Sequence, residues 1–269
     1  MLASIAIAAQ SEKAAAFRAL HEGEPFVIPN PWDVGSARVL EGLGFRALAT
    51  TSSGFAYTLG RLDGRVTLDE VAEHVRALAA ATGLPISVDL ENGYGPDPEN
   101  AATAIVRAAE AGAVGGSIED FDRGGELYSL EHATERVAAA VEAARALDFP
   151  FTLTARAENH IRGVQDIDDT IARLQAYERA GADVLFAPGL RSVDQIRALA
   201  QAVSKPLNVL ANGRLSLAEI AEAGGQRVSV GGGLAFVGVG AFVAAAEQIR
   251  DGDFSALGAR LALDQWLGE

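Results

Sequence analysis

Short apolar runs rich in β-branched residues alternate along the chain with longer stretches whose apolar positions recur every three to four residues. The first pattern suits buried strands of a parallel sheet, and the second suits amphipathic helices packed over it. The spacing predicts strands at Phe26–Asn30, Ala47–Thr51, Pro85–Leu90, Gly116–Glu119, Phe151–Ala155, Asp183–Phe186, Leu207–Leu210 and Arg227–Val230. Each is followed by a predicted helix: Ser36–Gly42, Leu68–Ala81, Glu99–Ala111, Leu130–Leu147, Ile167–Ala180, Val193–Val203, Leu217–Ala223 and Phe236–Arg250. Thr67 with Glu70 three residues on has the spacing of a capping box. Gly83, Gly112, Gly181 and Gly224 close helices, and Pro85, Pro150 and Pro206 open strands, where a missing N–H costs least. No linker or composition break divides the chain, so residues 1–269 read as one domain. Eight βα units in this length favour an α/β fold closed into a (β/α)8 TIM-type barrel over an open sheet. Phe254–Leu267 is left as an additional C-terminal helix, placed to cover a barrel face or to pack on a neighbouring subunit.

Composition narrows the function classes. The 22 basic and 36 acidic residues give a net charge of −14. A surface that negative repels phosphate backbones, which argues against nucleic acid as a partner. There is no cysteine, which rules out disulfides, thiolate metal sites and a catalytic thiol. The opening MLASIAIAAQ lacks a positive flank and reads as a first helix or lead-in rather than a secretory signal. Charges or glycines interrupt the other apolar runs short of the roughly 20 residues of a membrane span, so the expectation is no membrane and a cytoplasmic location.

In barrels of this kind chemistry sits at the C-terminal ends of the strands, and the polar residues gather there. The third strand ends in Asp89 and Glu91, two apart and on one side of the strand. The fourth ends in Glu119 and Asp120, the fifth in Arg156 and Glu158, and the seventh runs on to Asn208, Asn212 and Arg214. Several carboxylates converging on one mouth repel one another unless a cation neutralises them. Oxygen donors without His or Cys favour Mg2+ or Mn2+ over zinc. Arg156 suits a substrate carboxylate because its planar fork binds bidentately. The plainer alternative is a rim of paired charges, with Arg156 bridging Glu158 or Glu119. His21, His74, His132 and His160 show no ligand spacing, and Gly231–Gly233 fits a tight turn as well as a phosphate cradle.

The stretches PNPWDVGSARVLEGLGFRALATTSSG, LGRLD, VDLENGYG, SIED and LTARAEN resemble the isocitrate lyase and phosphoenolpyruvate mutase superfamily, and the resemblance runs over nearly the whole chain. It implies a barrel, Mg2+, and a homo-oligomer (a dimer or tetramer) that exchanges C-terminal helices. It also implies cleavage or formation of a C–C or P–C bond beside a 2-oxo acid through an enolate. Carried over by position, Asp89, Glu91 and Glu119 match the metal cradle, directly or through water. Arg156 matches the carboxylate-binding arginine. Thr51, Ser52, Ser53 and Gly54 match the loop that grips the oxo-acid carboxylate, and Asp63 matches a polar group near the reacting bond. With Glu119 and Arg156 as catalytic groups and Asn212 beside the substrate, the expectation is a Mg2+-dependent lyase acting on a small 2-hydroxy or 2-oxo dicarboxylate. The loop after the fourth strand, DFDRGGELYSLEHATERV, departs from the lyases, which carry a Lys-x-Cys-Gly-His-like motif there. That departure keeps open oxaloacetate decarboxylation, C–C hydrolysis, or a binding protein without turnover, with Arg123, Glu126, Tyr128 or a metal-bound water as substitute acids or bases.

Overall fold

Eight parallel strands form one sheet in the order β1-β8-β7-β6-β5-β4-β3-β2 in the computed structural model, which describes residues 2–258 and 261–267, with side chains from residue 10 onward. The strands are β1 Phe26–Ile28, β2 Leu48–Ala49, β3 Ile86–Asp89, β4 Gly115–Glu119, β5 Thr152–Arg156, β6 Val184–Phe186, β7 Leu207–Leu210 and β8 Gly225–Ser229. The two ends of that order meet at a seam, where Ala49 N–H donates to Pro29 O at 3.0 Å and Asn30 Nδ2 donates to Thr50 O at 2.9 Å. The result is a nearly closed (β/α)8 barrel, as the alternation predicts.

Each strand feeds a helix of the outer ring. In chain order the helices are α1 Leu2–Leu20, α2 Val34–Gly42, α3 Ser52–Thr58, α4 Leu68–Ala81, α5 Pro98–Glu110, α6 Leu130–Arg145, α7 Ile167–Arg179, α8 Val193–Ala202, α9 Leu217–Glu222, α10 Gly233–Arg250 and α11 Asp264–Leu267. The capping box at Thr67 and Glu70 forms as its spacing requires, with Glu70 N–H donating to Thr67 Oγ1 at 3.3 Å. Gly112, Gly181 and Gly224 take φ of 102°, 102° and 99°, the left-handed turn that carries each helix into the next strand. Gly83 differs: its φ is not positive, and its N–H is bound by Glu41 Oε1 at 2.9 Å.

α1 precedes the first strand and stops the N-terminal end of the barrel. Its Ala14 and Phe17 are fully buried against Phe26, Ile28, Ala47 and Val114. A Cβ on Gly115 would lie 2.8 Å from Phe17 Cε1, so only glycine lets that ring approach the start of β4. The C-terminal segment is less regular than one helix over Phe254–Leu267. It forms a 3-10 turn at Ser255–Gly258, begun by Asp253 accepting the N–H of Ser255 at 2.9 Å, and then the four-residue α11. Trp266 of α11 packs against Gly42 of α2.

α10 begins earlier than predicted and stays largely outside the core, with Ala235 buried while Phe236, Val237, Phe242 and Val243 face outward. With a mean hydropathy of 1.3 over 18 residues, it is long and apolar enough to cross a membrane by length and composition alone. Gly238 and Gly240 interrupt this apolar run, as expected, but do not break the helix, and no charge falls in it before Glu247.

Candidate active site at the mouth of the barrel

Parallel register sets the core of the site. Asp89 is the partner of Ser117 across β3 and β4, and Glu119 is the partner of Arg156 across β4 and β5. Asp89, Glu119 and Arg156 therefore reach the same end of the barrel from three adjacent strands. Arg156 Nη1 lies 3.7 Å from Asp89 Oδ1 and 3.4 Å from Glu119 Oε2, and its Nε donates to Glu158 Oε1. A second arginine comes from the loop after β5: Arg162 Nη2 is 2.8 Å from Glu158 Oε2 and 3.8 Å from Glu119 Oε1. The pairing of Arg156 with Glu119 and Glu158 is thus real, and it coexists with the convergence on Asp89.

These groups are strongly perturbed. Burial pushes the Glu119 carboxyl well up, with Glu158 and Asp89 adding to the rise and Arg156 and Arg162 opposing it. Glu91 rises to about 7, first through burial and then through Asp89 and Asp63, against the pull of Arg123. Burial alone would lower the Arg156 guanidinium, but Glu158, Glu119 and Asp89 hold it above its ordinary value. Glu91 and Tyr94 take φ of 47° and 67°, a left-handed backbone that is rare outside glycine and that turns the chain sharply after β3.

A cavity of about 200 Å3 opens here, bordered by Thr51, Ser52, Ser53, Asp63, Asp89 and Arg156 at its mouth. Thr51 caps α3, a helix too short to leave a periodic signal in the sequence. Ser52 N–H points at Asp89 Oδ2 at 3.3 Å, and Thr51 Oγ1 lies 3.2 Å from Ser53 Oγ. Gly54 is packed: a Cβ there would meet Thr51 Cγ2 at 2.7 Å and Trp32 Cβ at 3.1 Å. Asp63 is exposed at the rim. Asn212 is not among the lining residues. It is exposed, and its side chain is committed to the turn, donating to Leu190 O and accepting from Arg214 N–H, each at 3.0 Å.

Several contributors carry little signal in the sequence. Asn30 is buried and stitches three strand ends together, accepting the N–H groups of Val230 and Gly231 at 2.9 Å each while donating to Thr50 O. Those bonds occupy the first N–H of the Gly231–Gly233 turn and that of Val230 just before it. Asp120 is scaffold: it is buried, takes bonds from Arg173 at 2.9 Å and Tyr177 at 2.5 Å, and accepts Glu158 N–H at 2.7 Å, which sets Glu158 against Arg156. In the loop after β4, Arg123 Nη2 pairs with Glu91 Oε2 at 3.1 Å and its guanidinium lies 4.6 Å from the Tyr94 ring. Tyr128 OH accepts from Asn92 Nδ2 at 3.1 Å, Glu126 is exposed, and neither they nor Arg123 borders the cavity.

Among the described residues, no three acidic or imidazole side chains close on one point as a metal cluster. The oxygen-only donor set nevertheless fits a hard cation that keeps much of its water shell. Asp89 faces the cavity, and Glu91 Oε1 is buried without a hydrogen-bond partner. An ion held by Asp89, with Glu91 and Glu119 reached through water, would meet both needs.

The family model for phosphoenolpyruvate phosphomutase matches residues 17–250. A crystal structure from Burkholderia cenocepacia J2315, provisionally described as a lyase/mutase, superposes with a TM-score of 0.94 at 51% identity, over 97% of each chain. Phosphonopyruvate hydrolase in complex with oxalate and Mg2+ superposes with a TM-score of 0.83 at 25% identity, over 94% of this chain and 93% of the other. A 2-methylisocitrate lyase from Halalkalibacterium halodurans is 32% identical over 84% of this chain and 73% of its own length. An oxaloacetate decarboxylase from Rhodopseudomonas palustris is 31% identical over 81% and 77%. With this barrel and this match in sequence, the chain belongs to the phosphoenolpyruvate phosphomutase family, within the isocitrate lyase/PEP mutase superfamily of lyases, mutases and hydrolases.

Proposed function

We propose that the chain is a Mg2+-dependent lyase that cleaves a C–C bond of a small 2-hydroxy or 2-oxo dicarboxylate, next to its oxo-acid end. The observation that carries this reading is the single cavity shared by Asp89, Arg156 and the Thr51–Ser53 turn. Asp89, with Glu91 and Glu119 through water, would hold Mg2+, which would supply Lewis-acid stabilisation of the negative charge that develops beside the breaking bond. The Thr51–Ser53 turn offers N–H and hydroxyl donors to the oxo-acid carboxylate. Arg156, fixed on one side by Glu158 and Glu119, presents the other edge of its fork to the same anion. The electron pair of the broken bond passes to the fragment that becomes the enolate, which then takes up a proton.

One observation favours decarboxylation of oxaloacetate within this reading. Cleaving a 2-hydroxy acid requires a base to remove the hydroxyl proton, and the loop after β4 brings no such group to the cavity. A β-oxo carboxylate loses CO2 without that step. The oxaloacetate decarboxylase of Rhodopseudomonas palustris, 31% identical to this chain, points the same way. The apolar outer face of α10 and the exposed Phe254, Leu257 and Leu261 support assembly into a dimer or tetramer.

The test is release of pyruvate or glyoxylate from oxaloacetate, isocitrate, methylisocitrate, alkylmalates and phosphonopyruvate, with and without EDTA. Metal-dependent turnover of one C–C substrate is expected. Binding of 2-oxo acids with no turnover of any substrate would instead identify a binding protein.

A further inference from the structure

Beneath the mouth, the barrel interior is unusually polar. Ser87, Ser117, Asn208, Ser229 and Arg227 line the lower part of the same cavity. Arg227 is 5% exposed, in the middle of β8, at a level set by its register with Phe26 of β1 and Asn208 of β7. Its guanidinium donates to Asn208 Oδ1 at 2.7 Å and to Thr154 Oγ1 at 2.9 Å, and Nη1 lies 3.3 Å from His21 Nε2. His21 Nδ1 is 2.9 Å from Phe17 O, a pure acceptor, so Nδ1 carries the ring proton and Nε2 accepts from Arg227.

All three partners are neutral. Among the described residues no carboxylate pairs with Arg227, and burial alone accounts for the fall of its guanidinium to about 9. A guanidinium has five N–H donors, so two remain unused here. Barrel interiors are ordinarily filled by branched aliphatic residues, and an uncompensated buried cation costs far more than one of those would. Arg156 at the mouth faces three carboxylates, whereas Arg227 faces none. Thr154, which Arg227 bonds, stands two residues before Arg156 on β5, so Arg227 meets that strand about 7 Å along it below the level of Arg156. That is the span of a short diacid.

We propose that Arg227 is a carboxylate-binding residue at the floor of the cavity, and that the substrate is a diacid whose second carboxylate it receives. This deepens the proposed function and rests on its assignment of the mouth to the oxo-acid end. Ser117 and Ser229 beside Arg227 supply further donors to the same group.

Binding of malate and lactate, which differ only by the second carboxylate, tests this by titration calorimetry in the presence of Mg2+, apart from any turnover. The wild type should bind malate at least about tenfold more tightly than lactate, the worth of one charge-assisted contact. Arg227→Met should close that gap, and Arg227→Lys should restore part of it, each checked for native fold by circular dichroism. Equal affinities in the wild type, no measurable malate binding, or a malate preference that survives in folded Arg227→Met would overturn the proposal. So would inorganic phosphate stabilising the wild type through Arg227 while malate shows no preference, since the floor would then hold a free anion. Failure of the proposed function itself would show separately, as absence of Mg2+-dependent turnover despite diacid binding.

Discussion

Glu119 and Arg156 are register partners on adjacent parallel strands, and their side chains meet at 3.4 Å, with Asp89 at the same Nη1 and Glu158 at Nε. This makes Arg156 the hub of the site, because its one positive charge faces three carboxylates. Arg156→Met should destabilise the fold by about 3–5 kcal/mol, the cost of leaving a buried charge without its partner. Urea unfolding measures this, and adding Glu158→Gln to the variant should recover part of the loss.

Asn30 holds the strand ends that frame the cavity. Asn30→Ala leaves the N–H groups of Val230 and Gly231 and the carbonyl of Thr50 without their partner. Each such group costs about 1–3 kcal/mol if it stays dry. Thermal unfolding should show the loss, with amide exchange at Val230 and Gly231 accelerated ahead of the rest of β8.

His21 gives the fold a pH dependence of known sign. Burial, reinforced by Arg227, pushes its imidazole down from 6.5 to about 3. The unfolded chain therefore binds the extra proton first as pH falls, so this contribution is complete above about 6.5 and is lost progressively toward 3. Stability should rise with pH across that window, and His21→Gln should flatten the slope there in urea titrations at stepped pH.

The outward face of α10 predicts self-association. Phe242 is 66% exposed and Val237 72%, next to Phe236, a patch that a monomer would leave in water. Sedimentation velocity should find a dimer or tetramer, and Phe242→Glu should shift it toward monomer. A wild-type monomer at micromolar concentration would refute this.

Much of the molecule was legible in the sequence because two periodicities are strong. The alternation of apolar runs marked all eight strands, a glycine or proline opened six of them, and the two-residue spacing put Arg156 beside Glu158, whereas Glu91 lies past the end of β3 in a left-handed turn. Other features were hidden for physical reasons. α3 spans only seven residues and is defined by its Thr51 cap rather than by a periodic face. Arg162 reaches Glu158 and Glu119 because the loop after β5 folds back, which no local pattern encodes. Asn212 follows a strand as an active-site residue would, but the turn consumes its amide. Arg227 opens the last predicted strand, and only closure of the barrel shows that it faces inward, with neutral partners among the described residues.

The most direct measurement is a Mg2+ titration of oxo-acid release, by wild type and Asp89→Asn side by side, on the best substrate of the panel. Wild-type turnover should saturate with Mg2+ and vanish in EDTA, while Asp89→Asn falls by about 10²-fold or more and needs more metal. Turnover that ignores EDTA, or that survives undiminished in Asp89→Asn, would contradict a metal-assisted cleavage at this site.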